Sequence, residues 1–286
     1  MKIVLICGGG VLPRDVAQAL LAQGSDFAVV RLAGEVDTDI ALPENVSATT
    51  VGWGQIGKFL TFLQKENCTH VLAIGGVTKR PDFSALKLDV GGIKILPEAI
   101  ASVIGGDDKV LANVAGMFEK RGYSVIGALD AVPEMSCPLG LVSLGDPKAL
   151  PHDDIVLGSK AAFAAGRLDM GQGAVTAANR VVAVEGPEGT MEMLSRVRDI
   201  KAAKRARWKA GQGVLVKCSK PEQDMRFDVP VIGPDTIMQV KDAGLAGIAV
   251  EAGKVLLLER EKLIQRAEKE KIFVMGISFD EMEITK

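Results

Sequence analysis

The side chains best suited to chemistry in this sequence are concentrated in residues 214–230, VLVKCSKPEQDMRFDVP. The apolar residues 214–216 predict a strand that runs into a charged loop, and residues 229–232 predict the next strand. The loop carries cations, carboxylates and an amide: Lys217, Lys220, Gln223, Asp224, Arg226 and Asp228. Lys and Arg bind phosphate oxygens and Asp binds a divalent metal ion, so the loop suits a phosphate with its metal. A hairpin with a solvated turn explains the isolated stretch equally well.

A second polar group follows a predicted strand at residues 180–185 and precedes a predicted helix at residues 191–209. It reads EGPEGT and includes Glu188, Gly189 and Thr190. Thr190 is a favourable cap for the helix, and the free N–H groups of a helix N-terminus attract anions. The junction therefore predicts either a capped helix or an anion-binding turn.

The predicted helix at residues 191–209 has a strongly basic composition. From residue 195 onwards its only acid is Asp199, and its cations are Arg196, Arg198, Lys201, Lys204, Arg205, Arg207 and Lys209. An exposed, solvated helix is the simplest interpretation. The alternative is attraction to an anionic membrane surface, with nucleic acid as the third choice.

The N-terminus predicts the start of a doubly wound α/β domain. Its pattern is a buried strand, three glycines at positions 8–10, a helix at residues 13–23 and a strand at residues 27–32. Gly8 and Gly10 resemble part of a dinucleotide fingerprint, but Pro13 stands where its third glycine belongs, and no acid lies at the end of the second strand. The pattern favours a phosphate or sugar-nucleotide turn over NAD; a tight turn without a ligand is the alternative.

Further candidate positions follow later in the same half of the chain. A strand predicted at residues 71–74 leads into GGVTKRP, where Lys79 and Arg80 follow two glycines. An apolar, helix-like run at residues 93–104 is followed by two glycines and then by Asp107 and Asp108, ahead of a helix predicted at residues 109–121. Lys79 and Arg80 predict either a phosphate-binding turn or a solvated turn without a ligand. One aspartate can cap the helix, and the pair can hold a cation or a ribose.

Composition limits the classes of protein that need considering. The chain has 286 residues, 48% of them hydrophobic, with a net charge of −2 and only 4% aromatics. A folded protein of two domains is expected, whereas a globally basic nucleic-acid binder is disfavoured. The four cysteines and two histidines have no zinc spacing, which favours reduced apolar cysteines in a cytoplasmic protein. No signal peptide and no membrane-spanning stretch is expected.

The predicted fold class is α/β. It comprises an N-terminal Rossmann-like doubly wound domain at residues 1–130, a proline-containing linker at residues 131–138, and a second α/β domain with a mixed sheet at residues 139–286 that carries the loop. In the second domain we expect a helix at residues 155–165 and a hairpin around residues 178–179. We also expect strand ends at Glu185, Lys217 and Glu251 to share one edge of the sheet.

Seven motifs, in order along nearly the whole chain, resemble the LpxI family of UDP-2,3-diacylglucosamine pyrophosphatases. They are ICGGGVLP, GGVTKRP, GGDDKVL, LDMGQGAV, AVEGPEGT, LVKCSKPEQDMRFDVPVIGPDT and GIAVEAG. The sixth motif is long and specific, whereas the N-terminal glycines alone are not. The family usually has Asp after EGT, where this chain has Met191, to which no role is assigned.

The resemblance implies an enzyme of lipid A biosynthesis that uses water to split UDP-2,3-diacylglucosamine into UMP and lipid X. It implies attack on the α-phosphorus and a divalent metal such as Mg²⁺. The basic helix adds the expectation that this cytoplasmic protein is peripherally associated with the anionic inner-membrane surface. A homodimer is left open. Asp224 corresponds to the family's essential carboxylate, and Asp224 and Glu188 are the expected metal ligands.

The expected substrate-binding residues fall on the shared motifs: Gly9, Gly10, Leu12, Lys79, Arg80, Asp107, Asp108, Gln172, Gly189, Thr190, Lys217, Lys220, Gln223 and Arg226. The competing class is a non-catalytic two-domain protein that binds a sugar nucleotide or a lipid. Release of UMP distinguishes the two classes.

Overall fold

The computed structural model describes residues 1–35, 42–77, 89, 107–144, 150–209, 211–280 and 282, with the backbone alone at residues 107–110. By its internal contacts the chain divides into two units. The first is Met1–Val132 together with Asp224–Asp228, and the second is Pro133–Gln223 together with Val229–Lys286. The boundary at Val132 lies inside the predicted linker. The predicted second domain contains the whole polar loop, whereas the structure groups Asp224–Asp228 with the first unit.

The first unit contains a parallel sheet with helices. Its described strands are β1 (Ile3–Cys7), β2 (Phe27–Leu32), β3 (Ala48–Val51), β4 (His70–Ile74) and β5 (Ser124–Val125). Its described helices are α1 (Leu12–Ala22), α2 (Ile56–Lys65), α3 (Asp107–Glu119) and the short α4 (Ala128–Ala131). The strand order β3-β2-β1-β4-β5 is that of a doubly wound Rossmann-like sheet, which confirms the predicted class.

Continuous burial explains why these strands were recognisable. β1 reads IVLIC and pairs in parallel with β2 on one side and β4 on the other, with Leu5 opposite Val29 and Leu72. A parallel strand covered on both faces is apolar throughout. In α1, Pro13 occupies the first turn, where a missing N–H costs nothing. The strand β3, ATTV, has exposed polar positions and was not predicted.

The second unit contains a mixed sheet of strand order β6-β13-β11-β9-β7-β8. Its strands are β6 (Gly140–Ser143), β7 (Gly173–Ala177), β8 (Arg180–Val184), β9 (Val214–Lys217), β11 (Gly247–Glu251) and β13 (Phe273–Ile277). A separate parallel pair joins β10 (Val231–Ile232) to β12 (Leu256–Leu257). The described helices are α5 (His152–Arg167), α6 (Gly189–Ala202), α7 (Pro234–Asp242) and α8 (Arg260–Glu270). The mixed α/β class is confirmed.

The predicted hairpin is present as β7 and β8. Ala178 and Asn179 form its turn with φ of 52° and 58°, the left-handed values that a two-residue type I′ turn requires. Asp154, buried in α5, accepts hydrogen bonds from the backbone N–H groups of Ala178 (3.1 Å) and Asn179 (2.8 Å). Its carboxylate therefore holds the turn at the sheet edge opposite Lys217.

The helix predicted at residues 191–209 is shorter in the structure than in the prediction. In the structure α6 ends at Ala202, and Lys204 has a φ of 57°. Beyond it, Trp208 is buried and its indole N–H donates to the Gly244 carbonyl at 2.8 Å. A straight helix through Lys209 would keep these seven cations on one element. Instead, the helix ends before Trp208, and Trp208 is buried in the core of the second unit.

Candidate active site

Three polar residues follow neighbouring strands at one edge of the six-stranded sheet. Lys217 ends β9 and pairs with Val250 of the parallel strand β11, so Glu251 lies at the same edge. β7 is antiparallel to both β9 and β8, so Glu185, just after β8, reaches this edge too. The structure confirms the expected edge, where polar side chains collect because the parallel strands end together.

A buried chain of hydrogen bonds links two of these residues through Thr190. The Lys217 ammonium donates to Thr190 Oγ1 (3.0 Å) and to the Val231 carbonyl (3.3 Å), and Thr190 Oγ1 donates to Glu185 Oε1 (2.7 Å). Lys217 and Glu185 are 6% and 5% exposed. A threonine in the first turn of α6 thus joins a cation to a carboxylate. Within the described part of the chain, Glu185 Oε2 is buried without a hydrogen-bond partner.

The loop after β9 is fixed by Glu251 and Gln172. Glu251 Oε2 accepts from the backbone N–H of Ser219 (3.0 Å) and from Ser219 Oγ (2.8 Å), while Glu251 Oε1 pairs with Lys254 at 2.7 Å. The Cys218 N–H donates to the Gln172 carbonyl (2.9 Å). Glu251 was expected at this edge, but neither it nor Ser219 was assigned a role. Their positions at the ends of neighbouring strands were the signal that could have found them.

The structure brings three expected substrate-binding residues together in the second unit. Lys220 N–H donates to Gln223 Oε1 (3.0 Å), and the Gln223 amide lies 3.4 Å from Gln172 Oε1. The Lys220 ammonium pairs with Asp169 at 2.6 Å. Lys220 is thus held at both its backbone and its side chain. Asp169 was not predicted here, although it lies in the LDMGQGAV motif.

Asp224, in the first unit, is bound by Arg226. The guanidinium donates from Nε to Oδ1 (2.9 Å) and from Nη2 to Oδ2 (2.7 Å), and the Arg226 backbone N–H adds a bond to Oδ1 (3.1 Å). These side-chain hydrogen bonds hold the pKa of Asp224 below its ordinary value. The same bonds raise the pKa of Arg226, whose Nη1 also contacts Glu119 at 2.9 Å. The carboxylate of Asp224 is therefore ionised at neutral pH.

The expected metal ligands differ in their surroundings. Glu188 precedes α6, is about one-third exposed and pairs with Arg196 at 2.8 Å. Asp224 belongs to the other unit. Across the described ranges, no group of three or more His, Cys, Asp and Glu side chains is arranged to hold a metal ion.

The N-terminal glycine turn is tightly built. A side-chain Cβ at Gly8 would lie 2.6 Å from the Gly76 carbonyl oxygen, and Gly9 forms a backbone bridge with Gly76. Gly10 has a φ of 90° and open space where a Cβ would stand, and α1 begins at Leu12. At the start of α1, Pro13 has no N–H, and the Arg14 N–H donates to the Val11 carbonyl at 3.1 Å, so an anion would have to bind mainly at the glycine backbone before the helix.

Other expected positions cannot be placed in full. Lys79, Arg80 and the apolar run at residues 93–104 lie outside the described residues. α3 begins at Asp107, but the side chains of Asp107 and Asp108 also lie outside them.

The cysteines supply no nucleophile. All four are buried and free, and burial raises the pKa of Cys7 and Cys218 to about 12 and of Cys68 and Cys137 to about 11. A thiol with such a pKa is protonated at neutral pH and unreactive.

Comparison with known proteins identifies the family. A model of the LpxI N-terminal domain matches residues 2–135, and a model of the LpxI C-terminal domain matches residues 138–275. The chain belongs to the LpxI family. A Caulobacter vibrioides member, UDP-2,3-diacylglucosamine pyrophosphatase LpxI, is 42% identical over 276 residues, which cover 96% of this chain and 97% of that protein. The predicted resemblance to LpxI is therefore confirmed.

A solved structure gives a much weaker match. The Bordetella bronchiseptica enzyme WbmG, in complex with NAD and UDP, is 21% identical, with a TM-score of 0.26, and the match covers 43% of this chain and 35% of that chain. A likeness at this level supports no inference about function.

Among the helices that the structure describes, none is long and apolar enough to cross a membrane.

Proposed function

We propose that this protein hydrolyses the pyrophosphate bond of UDP-2,3-diacylglucosamine, giving UMP and lipid X in lipid A biosynthesis. The observation that carries the proposal is the match of both LpxI domain models and of the Caulobacter pyrophosphatase over nearly the whole chain. The hydrogen-bonded groups around Lys217, Lys220 and Asp224 supply charges of the kind that pyrophosphate chemistry needs.

In the proposed reaction, the oxygen of a water molecule forms a bond to the α-phosphorus, the one attached to uridine. The bond from this phosphorus to the bridging oxygen breaks, and that oxygen leaves on the diacylglucosamine phosphate. One water proton is released to solvent. Lys217 and Lys220 bind non-bridging oxygens and offset their charge. Asp224, ionised because of Arg226, orients the attacking water.

We further propose that the reaction uses a divalent ion, Mg²⁺ in the simplest case; Asp224 is the residue that would hold it, and Glu188 is the alternative candidate. One or two carboxylates plus phosphate oxygens form a common Mg²⁺ site, so a cluster of three protein ligands is not required. When bound, the ion would polarise the phosphoryl group as a Lewis acid. The ionised state of Asp224 is the observation that fits such a site.

The assay of this proposal is release of UMP from UDP-2,3-diacylglucosamine, with and without a chelator. Turnover that the chelator abolishes and added Mg²⁺ restores supports both the activity and the metal. Turnover that the chelator leaves unchanged supports the hydrolase and excludes the metal. Thermal protection by the substrate without any UMP would instead identify a non-catalytic binding protein.

The site of attack has its own test. After turnover in ¹⁸O-labelled water, the label should be found in UMP, because water adds to the uridine-side phosphorus. Label in the lipid phosphate would mean attack on the other phosphorus and would refute this part of the mechanism.

We also propose that the basic segment formed by the last turns of α6 and the residues after it binds the anionic inner-membrane surface, where a diacylated substrate resides. Arg198 is exposed, whereas Lys201 donates to the Gly244 carbonyl (2.8 Å) and lies 4.7 Å above the Trp208 ring. Burial lowers the pKa of Lys201. Lys201 is therefore part of the fold, and the contact with lipid is assigned to Arg198, Lys204 and Arg205.

The test replaces Arg198, Lys204 and Arg205 with Gln and keeps Lys201. Each cation near an anionic surface contributes about 1 kcal/mol, so the triple variant should bind anionic liposomes more than tenfold more weakly, with a smaller difference at high salt. If the triple variant binds anionic liposomes as tightly as the unmodified protein does, the segment is simply exposed to solvent and does not contact the membrane.

A further inference from the structure

The segment between β9 and Asp224 is held by the Gln172 carbonyl, which accepts the Cys218 N–H at 2.9 Å, and by one buried carboxylate. Glu251, 8% exposed, uses a single oxygen, Oε2, to accept from both the N–H and the Oγ of Ser219. Ser219 has only Cys218 between it and Lys217, and Lys220 follows directly. The carboxylate therefore fixes the backbone between the two cations that we assign to phosphate binding.

Two side-chain contacts of this segment, those of Lys220 and Gln223, are exposed or long. The Lys220 ammonium pairs with Asp169, whose side chain is 70% exposed, and the Gln223 amide lies 3.4 Å from Gln172 Oε1. Exposed ion pairs contribute little because solvent screens them. In contrast, two hydrogen bonds to one buried carboxylate are charge-assisted and desolvated.

We propose that Glu251 is a positioning residue for the reaction: by holding Ser219, it sets Lys217 and Lys220 in the spacing that the pyrophosphate oxygens require. This inference rests on the proposed function. Glu251 touches no reacting atom in this assignment, and its effect reaches the substrate only through the backbone of the segment. Small displacements of positioning groups matter, because a misplacement of about 1 Å can cost about 10²-fold in rate.

Two variants of Glu251 separate positioning from simple packing. Glu251→Ala removes the acceptor, and kcat/KM should fall by roughly 10²-fold. Glu251→Gln keeps a carbonyl oxygen for Ser219, although without its charge, and loses the ion pair with Lys254, whose side chain is 53% exposed. Since such pairs contribute at most about 1 kcal/mol, Glu251→Gln should retain activity to within about fivefold. Lys254→Met, which removes the same ion pair from the other side, should behave like Glu251→Gln.

Asp154 offers a matched control in the same unit. It is also a buried carboxylate, 5% exposed, that accepts two backbone N–H groups, but at the opposite edge of the sheet. Asp154→Ala should lower the urea midpoint as Glu251→Ala does, while kcat/KM of the folded protein stays unchanged. Equal losses of kcat/KM in the two alanine variants would show that Glu251 acts through stability alone.

Hydrogen exchange tests the positioning role of Glu251 independently of the proposed function. Hydrogen exchange of the amides of residues 217–223 is measured in the unmodified protein, Glu251→Ala and Asp154→Ala. Faster exchange in Glu251→Ala alone is expected whether or not the protein hydrolyses UDP-2,3-diacylglucosamine. Absence of UMP from the unmodified protein would overturn the proposed function. Unchanged exchange in Glu251→Ala, or full activity of that variant, would overturn the positioning role.

Discussion

Replacing Asp224 with Asn tests the carboxylate with little change of shape. In the structure both carboxylate oxygens accept from Arg226, through Nε, Nη2 and the backbone N–H. The NH₂ group of Asn would face an N–H donor of Arg226 at one of these contacts, and two donors cannot form a hydrogen bond. It would also remove the charge that orients water or binds a metal ion. The variant should therefore lose both stability and rate.

The loss of stability can be sized from these contacts. A hydrogen bond to a charged group contributes about 1.5–3 kcal/mol, and the lower end applies because Arg226 is partly exposed. Asp224→Asn should thus lower the free energy of unfolding by about 1.5 kcal/mol at pH 7. The loss in kcat should be larger, about 10²–10³-fold, as for other preorganised electrostatic groups.

The pH dependence has a definite sign. Arg226 depresses the pKa of Asp224 in the folded protein, so the unfolded chain, with an ordinary value of about 3.9, binds the proton more readily. The stability that Asp224 contributes is present above that value and is lost as the pH falls through the folded pKa. The difference in stability between the native protein and Asp224→Asn should therefore be complete at pH 7 and shrink below about pH 4.

The assays are urea unfolding at pH 7 and pH 3, followed by circular dichroism, and UMP release at pH 7. Asp224→Glu is the control for charge, since it keeps the carboxylate and moves it by one methylene. A folded Asp224→Asn protein with nearly normal kcat would refute the catalytic role. A stability difference of the same size at both pH values would refute the ion pair as its cause.

Three further predictions concern the scaffold. Ala178→Gly should raise the urea midpoint, because relieving a left-handed φ at a residue with a side chain gains up to about 1 kcal/mol. Gly158→Ala should destabilise by about 1–3 kcal/mol, since its Cβ would lie 2.6 Å from Val216 Cγ2 and 2.9 Å from Thr176 Oγ1. The buried cysteines should resist a thiol reagent at pH 7 and react once urea unfolds the chain; fast labelling of the native protein would contradict their burial.

Much of the fold could be predicted because its strands are buried on both faces. The strand at residues 27–32 has the predicted limits, and the strand predicted at residues 71–74 begins one residue earlier, at His70. The edge strand β3, in which Thr49 is half-buried and Thr50 exposed, lacks the apolar run that would distinguish it from a loop. The end of α6 depends on where Trp208 is buried, which no local pattern contains.

The candidate site was predictable in its location but not in its pairing. Chain order and strand direction indicated that Glu185, Lys217 and Glu251 would share an edge, and the register of β9 and β11 agrees. The contact of Lys220 with Asp169 joins residues 51 positions apart, and that of Ser219 with Glu251 joins residues 32 apart. Such pairs are set by three-dimensional packing, so a sequence pattern could not supply them.

The position of Trp208 has a consequence for spectroscopy. The chain has two tryptophans, and the other, Trp53, belongs to the first unit, whereas Trp208 belongs to the second. Trp208 is 8% exposed and hydrogen-bonded, so its emission should be blue-shifted and should move to the red on unfolding. A Trp53→Phe protein would report the second unit alone, and Trp208→Phe the first. Fluorescence can thus show whether the two units melt together or one after the other.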